Sequence, residues 1–213
     1  MRRNNRSQAR SEDNAPDRTA YLRRAEKRRA GYDKKQACAT QEKGLLIVNT
    51  GTGKGKTTAA FGMVLRALGH GMKVGILQFI KGARPSAERE VLARFAGVDF
   101  KTMGDGFTWI TQDRDQDVAT AWKAWAEAKR MIADPSYAMV ILDEFNVILR
   151  YQYLPLEEVL DTLCSRRPML HVVVTGRHAP AKLIAAADLV SEIRPIKHPY
   201  REQGVKAQPG IEF

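Results

Sequence analysis

Residues 45–58 decide the fold, and they read Leu-Leu-Ile-Val-Asn-Thr-Gly-Thr-Gly-Lys-Gly-Lys-Thr-Thr. Four apolar residues run directly into a loop of glycines and lysines, and an apolar-periodic stretch over 56–68 follows the loop. A strand, a glycine loop and a helix in this order are the context of a phosphate-binding loop. Glycines let the loop turn its backbone N–H groups toward an anion, and the helix adds the positive end of its dipole. The sequence therefore predicts a nucleotide site at this loop.

The predicted loop contains two lysines, Lys54 and Lys56, which would repel each other if no anion lay between them. This repulsion disfavours a glycine turn that binds nothing. Lys56 would place its positive charge on the phosphates, and the Thr57 hydroxyl would bind Mg²⁺. The complete set of predicted loop residues is Asn49, Thr50, Gly51, Thr52, Gly53, Lys54, Gly55, Lys56, Thr57 and Thr58.

The loop is one residue shorter than the usual pattern of glycine, four residues, glycine, lysine and Ser or Thr. Counted back from Gly55, the first glycine would fall at Thr50, and counted forward from Gly51, three residues precede Gly55. A deletion of this kind changes where the amide donors of the loop converge. The nucleotide need not lie as it does in ordinary ATPases, and its γ-phosphate need not be the reacting group.

Further short apolar runs alternate with longer helical stretches after the loop. Strands are predicted at 45–48, 74–79, 139–142 and 172–175, with short additional ones at 98–103 and 189–193. Helices are predicted at 56–68, 86–95, 115–133, 155–165 and 180–187. Runs that do not alternate in polarity are typical of strands buried on both faces. We therefore expect an α/β fold with a mostly parallel central sheet flanked by helices, in the P-loop NTPase (RecA-like) architecture.

Charged side chains follow two of the predicted strands. Asp143 and Glu144 end the run at 139–142, and Arg177 follows the run at 172–175. Because parallel strands gather their carboxyl ends at one ligand crevice, these side chains should lie beside the phosphate loop. Asp143 or Glu144 would bind the metal directly or through water, and Arg177 would hold phosphate oxygens or form a surface ion pair.

Most of the net charge of +11 lies near the amino terminus, because the first 43 residues contain 13 Lys or Arg and six Asp or Glu. Residues 1–16 are predicted to be a disordered basic tail, 17–43 a charged N-terminal helical arm, and 44–213 the P-loop α/β domain. The small excess of positive charge in the α/β domain is ordinary for a protein that binds triphosphates, and it does not favour a nucleic-acid partner. With no apolar run long enough for a membrane span, and with Cys38 and Cys164 expected to be ordinary thiols, the sequence predicts a soluble cytoplasmic protein.

The chain resembles the ATP:corrinoid adenosyltransferases of cobalamin salvage and late synthesis. The resemblance covers nearly everything from about residue 32 to residue 213. It depends on several motifs together, at 50–58, 78–82, 106–109, 142–144, 153–158, 174–177 and 204–208.

The resemblance implies that the reduced Co(I) of a corrinoid, cobalamin or a precursor, attacks the ribose C5′ of ATP and expels triphosphate. The nucleotide is then held in reversed orientation, which would account for the shortened loop. Lys54 and Lys56, with Mg²⁺ or Mn²⁺, would stabilise the leaving triphosphate. Phe107 and Trp109 would pack under the corrin and displace its lower axial ligand. The family also implies a homodimer, in which residues 17–35 cross the partner's site, and an electron-donating flavoprotein reductase.

Three other functions are compatible with the loop alone. A nucleic-acid-stimulated, RecA-like ATPase would cleave ATP at the γ-phosphate, and its binding would depend steeply on salt. A small-molecule kinase would release ADP. A regulatory subunit would bind ATP without turnover. The identity of the product separates these functions from adenosyl transfer.

Replacing Trp109 with alanine should spare ATP binding and abolish activity with a Co(II) corrinoid and a mild reductant. The reason is that the aromatic ring would act on the axial ligand of cobalt and not on the nucleotide. ATP binding can be measured by calorimetry and adenosylation by absorbance. Wild-type activity of Trp109→Ala under mild reduction would mean that the ring is ordinary packing.

Overall fold

The computed structural model describes residues 18–80, 87–103 and 113–211. The chain divides into two compact units, Met1–Glu42 and Lys43–Phe213. The predicted tail at 1–16 lies outside the described residues, as do Phe107 and Trp109.

The first unit contains helix α1, Arg18–Cys38, where the sequence predicts a charged helix. Each of its 21 residues is exposed or only partly buried. Tyr21 and Tyr32, which belong to its sparse apolar stripe, are both 61% exposed. Within the described residues of its unit this helix buries no apolar face, so it depends on helical propensity and on local contacts such as the exposed Arg29–Asp33 ion pair.

The described residues of the second unit contain six strands, which all run parallel. The strands are β1 (Leu46–Thr50), β2 (Val74–Gln78), β3 (Val98–Thr102), β4 (Met139–Asp143), β5 (His171–Thr175) and β6 (Leu189–Glu192). Their order across the sheet is β3-β2-β4-β5-β1-β6. Strand β5 therefore separates the strand that precedes the glycine loop from the strand that carries Asp143. This arrangement confirms the predicted parallel P-loop architecture.

Helices connect the strands. They are α2 (Lys56–Gly69), α3 (Ala87–Leu92), α4 (Arg114–Ala133), α5 (Phe145–Arg150), α6 (Leu156–Cys164), α7 (Ala181–Ala186) and α8 (Pro199–Gln203). The sequence predicts five of these seven to within a few residues, although α3 is shorter than expected. The sequence does not predict helices α5 and α8, which contain six and five residues.

A separate apolar core lies on each face of the sheet. One core contains Leu46 and Val48 of β1 with Trp125 of α4, and the other contains Ile47 of β1 with Val64 of α2. Successive residues of a strand point to opposite faces, so β1 contributes to both cores. Strands β1 and β4 are buried along their full length, whereas all four residues of the edge strand β6 are exposed.

Two further features bear on the class of protein. Among the described helices, none combines the length and apolar character needed to span a bilayer. Cys38 and Cys164 are free thiols on the surface.

Trp125→Ala should destabilise the fold strongly because the indole is fully buried, stacks on Phe145 at 5.3 Å between ring centroids, and donates to Glu158. We expect the free energy of unfolding in denaturant to fall by about 3–5 kcal/mol. Trp122→Ala, on the same helix but at a position 38% exposed, is the matched control and should cost clearly less. Equal losses in the two variants would contradict this description of the core.

Candidate nucleotide site

The glycine loop, residues 51–55, connects β1 to α2 at the carboxyl edge of the sheet. Asp143 ends β4 at the same edge, and Thr175 ends β5 between them. Both side chains are buried. The parallel sheet therefore places a phosphate-type loop and a carboxylate together, as the sequence predicts for a ligand crevice.

The loop is held in place by the chain that leaves β6. The Gly53 N–H donates to the Ile193 carbonyl at 2.7 Å, and the Ile193 N–H donates to the Thr50 carbonyl at 2.8 Å. A Cβ atom added at Gly53 would lie 2.8 Å from the Ile193 carbonyl oxygen, and one added at Gly51 would also collide with that carbonyl. The two glycines are thus required by a close backbone contact, in addition to any approach of a phosphate.

Gly55 precedes α2 in the left-handed backbone conformation, with φ of 107°. A residue with a side chain would be strained there, and glycine is not. Gly55 has no side chain that could cap the helix, so the first N–H groups of α2 are left for a ligand. The positive end of the helix dipole adds to this preference for an anion.

Lys56 is the first residue of α2 and is only 6% exposed. Its ammonium group donates to the Gly53 carbonyl at 2.6 Å, so the side chain folds back along the loop. Burial lowers the pKa of Lys56, the nearby Glu144 carboxylate opposes this shift, and Arg177 and Lys54 add to it. An anion in the loop would relieve this buried positive charge.

Asp143 accepts three hydrogen bonds. Its Oδ1 accepts from the hydroxyl groups of Thr57 and Thr175, each at 2.8 Å, and its Oδ2 accepts from the Gln78 amide at 3.1 Å. Burial raises the pKa of Asp143, and the three hydrogen bonds oppose that rise. The Asp143 carboxylate is therefore held against Thr57, the residue that follows Lys56.

Thr57 and Asp143 together present hydroxyl and carboxylate oxygens, which are the donors that Mg²⁺ prefers. Within the described ranges there is no cluster of three or more His, Cys, Asp or Glu side chains that could enclose a metal. A cation at this position would therefore take its other ligands from phosphate oxygens and water. Mg²⁺ commonly binds in this way beside nucleotides, so the donor set fits it.

Glu144 follows Asp143 with a positive φ of 56°, and its N–H donates to the Thr175 hydroxyl at 2.9 Å. Burial and the adjacent Asp143 raise the pKa of Glu144, whereas the positive charges of Lys56 and Arg177 lower it. Arg177 is exposed, and it follows Gly176, whose carbonyl accepts from Asn146 at 3.0 Å. Glu144 and Arg177 therefore belong to the same electrostatic environment as Lys56.

The structure thus brings together most of the residues predicted from the sequence. Asn49 is buried and its side-chain amide reaches the Lys56 carbonyl at 3.4 Å, while Thr52, Lys54 and Thr58 are exposed around the loop. Sequence reasoning assigned no role to Gln78, Thr175 or Ile193. The available signal was that Gln78 and Thr175 lie near the ends of predicted strands and within the motifs at 78–82 and 174–177. Nothing in the sequence pairs residue 193 with the loop.

These features define the class: a P-loop nucleotide-binding protein with a RecA-like strand order. The model of the family described as ATP:corrinoid adenosyltransferase BtuR/CobO/CobP matches residues 42–213. The chain belongs to this family.

Curated relatives extend the match over most of the chain. A corrinoid adenosyltransferase of Sinorhizobium sp. is 53% identical over 190 residues, which covers 88% of each chain. Those of Pseudomonas aeruginosa and Escherichia coli are 50% and 49% identical, cover 91% of this chain, and are themselves covered over 95% and 97% of their lengths. A solved RadB recombinase is 16% identical with a TM-score of 0.45, over 74% of this chain and 78% of that one.

Family membership confirms the resemblance inferred from the sequence motifs. The chain is a transferase of the corrinoid adenosyltransferase type. This function is supported over the ATPase and kinase alternatives.

Gly53→Ala should displace the loop, because the added methyl group would lie 2.8 Å from the Ile193 carbonyl oxygen and one of the two backbones must shift. We expect ATP affinity to fall about tenfold or more, which corresponds to a cost of about 1.4 kcal/mol. Gly62→Ala is the control, since its Cβ would meet open space on α2 and alanine favours a helix. Unchanged ATP affinity of Gly53→Ala in a calorimetric titration would argue against the Ile193 contact.

Proposed function

We propose that the loop at 51–58 binds the triphosphate of ATP in the reversed orientation and presents the ribose C5′ to the reduced cobalt of a corrinoid. The observation that carries this proposal is the position of Lys56. Its ammonium group is buried along the loop at the amino terminus of α2, where the triphosphate would replace the Gly53 carbonyl as its partner. A triphosphate bound in this way would have positive charge concentrated on it as a leaving group.

The electron balance of the reaction needs no protein nucleophile or base. The electron pair of Co(I) forms the cobalt–carbon bond, and cobalt becomes formally Co(III). The C5′–O bond breaks, and the oxygen keeps its electron pair on the departing triphosphate. Lys54, Lys56 and the amide groups of the loop would stabilise this developing charge. Electrostatic stabilisation of this kind is usually the largest single contribution of an enzyme site to catalysis.

Mg²⁺, or Mn²⁺ in its place, would be held by Thr57 and Asp143. When bound, it would supply charge neutralisation to the leaving triphosphate. The support is the 2.8 Å hydrogen bond between the Thr57 hydroxyl and the Asp143 carboxylate. Glu144 would act on the same cation through water, and the positive charges of Lys56 and Arg177 lower the pKa of its carboxyl group. Arg177 would lie near the phosphates.

The corrinoid would be bound by Phe107 and Trp109, which lie outside the described residues. The support is the family resemblance, together with their place in the sequence between β3 and α4. These rings would pack under the corrin and exclude the lower axial ligand, leaving a cobalt that is easier to reduce. An electron-donating flavoprotein reductase would supply the electron.

The N-terminal arm, α1, would dock on a second copy of the chain in a homodimer. The support is that its partly apolar stripe is not buried within its own unit. The enzyme would work in the cytoplasm, without a nucleic-acid partner. The domain boundary near residue 43 separates this arm from the catalytic unit.

The decisive experiment incubates the purified protein with ATP, Mg²⁺ and chemically reduced cobalamin. The expected products are light-sensitive adenosylcobalamin and inorganic triphosphate, in equal amounts. ADP or orthophosphate as the main nucleotide-derived product would contradict attack at C5′. Omission of cobalamin is the control, because an ATPase would still turn over.

Lys56→Ala should weaken ATP binding and lower turnover together, since the lysine contacts the leaving group in the ground state and in the transition state. We expect kcat/KM to fall about 100-fold or more. Lys123→Ala, an exposed lysine of α4, is the matched control for loss of one positive charge. Equal kinetics in the two variants would exclude Lys56 from the reaction.

A further inference from the structure

Four neighbouring strands end in hydrogen-bonding side chains that form a continuous row. The row consists of Thr102 on β3, Gln78 on β2, Asp143 on β4 and Thr175 on β5. Gln78 is in register with both Thr102 and Asp143. Residues in register on parallel strands point to the same face, so the side chains meet. We call these four residues the polar row.

Each contact in the polar row has a defined direction. The Thr102 hydroxyl donates to Gln78 Oε1 at 3.4 Å, which turns Gln78 Nε2 toward Asp143, where it donates to Oδ2 at 3.1 Å. The Thr175 hydroxyl accepts from the Glu144 N–H at 2.9 Å and donates to Asp143 Oδ1 at 2.8 Å. A hydroxyl group has one proton, so acceptance from Glu144 leaves its donation for Asp143. Both carboxylate oxygens of Asp143 are thereby fixed.

The orientation of Asp143 determines the orientation of Thr57. The Thr57 hydroxyl donates its proton to Asp143 Oδ1 at 2.8 Å. A hydroxyl that gives its proton to a carboxylate keeps its lone pairs for another partner, such as a cation. A rotated carboxylate would release the Thr57 hydroxyl and leave a buried oxygen without a donor, which costs free energy. The polar row therefore fixes the direction of the Thr57 hydroxyl through Asp143.

We propose that Gln78 and Thr175 are positioning residues for the divalent cation that accompanies ATP, acting through Asp143. This inference rests on the proposed metal site at Thr57 and Asp143. Thr102 acts one step further away, because it fixes which end of the Gln78 amide faces the carboxylate. Removal of any of these groups should weaken cation binding more than it weakens ATP binding without metal.

A purely structural role for the polar row predicts something different. Burial of an ionised carboxylate requires hydrogen bonds, and their loss would lower stability whether or not a metal binds. In that case folded variants would bind the cation as the wild type does. The cation affinity of folded protein therefore separates the two roles.

The test measures Mn²⁺ binding to the full chain in the presence of ATP, by the loss of the free Mn²⁺ signal in electron paramagnetic resonance. Thr175→Val, which removes the hydroxyl but keeps the shape, should raise the Mn²⁺ concentration for half-saturation about tenfold or more. Thr175→Ser, which keeps the hydroxyl, should stay within about twofold of the wild type. Metal-free ATP affinity and the unfolding midpoint are measured on the same samples.

A second pair of variants decides the question if Thr175→Val does not fold. Thr102→Val should also raise the Mn²⁺ concentration for half-saturation, but by less than Thr175→Val does, because Thr102 does not contact Asp143. Thr102→Ser should leave that concentration unchanged. Wild-type Mn²⁺ midpoints in folded Thr175→Val or Thr102→Val would overturn the positioning role alone. Failure of the wild type to bind Mn²⁺ with ATP would overturn the proposed metal site as well.

Discussion

A single backbone contact, between the glycine loop and Ile193, sets the shape of the nucleotide site. The chain leaving β6 passes so close to the loop that a side chain at position 51 or 53 would collide with the Ile193 carbonyl. The two hydrogen bonds across this contact hold the loop before any ligand arrives. A donor set that is already fixed costs less to order when it meets developing charge. Glycine is therefore required here for packing as well as for phosphate binding.

The same edge of the sheet holds opposite charges that burial disfavours. Burial lowers the pKa of Lys56 and raises that of Asp143, so each group is pushed toward its neutral form. A triphosphate favours the charged lysine, and a cation favours the charged carboxylate. A ligand that brings both, such as a nucleotide with its metal, relieves both penalties together. These buried charges are the electrostatic basis of the proposed joint binding of nucleotide and cation.

Much of this arrangement could be predicted from sequence because it depends on local patterns. The loop, the strands and the acid at the end of β4 are each encoded within a few neighbouring residues. The role of Gln78 depends instead on the order β3-β2-β4-β5, which no local pattern specifies. The contact of Gly53 with Ile193 joins distant parts of the chain. Helix α5 begins after Glu144, whose positive φ is rare for a non-glycine residue and which provides no side-chain cap, so no local signal in the sequence marks its start. The interpretation of the aromatic residues came from family resemblance.

The nucleotide site depends on an edge strand of the sheet, β6. This strand is exposed along its length and pairs with β1 on one side, yet it delivers the residue that holds the loop. Sheet margins open more readily than central strands, in local fluctuations that leave the rest of the fold intact. Transient opening of β6 would therefore release the glycine loop from Ile193 without unfolding the core. By thermodynamic linkage, a nucleotide that binds the loop while Ile193 holds it would also make the opening of β6 less frequent.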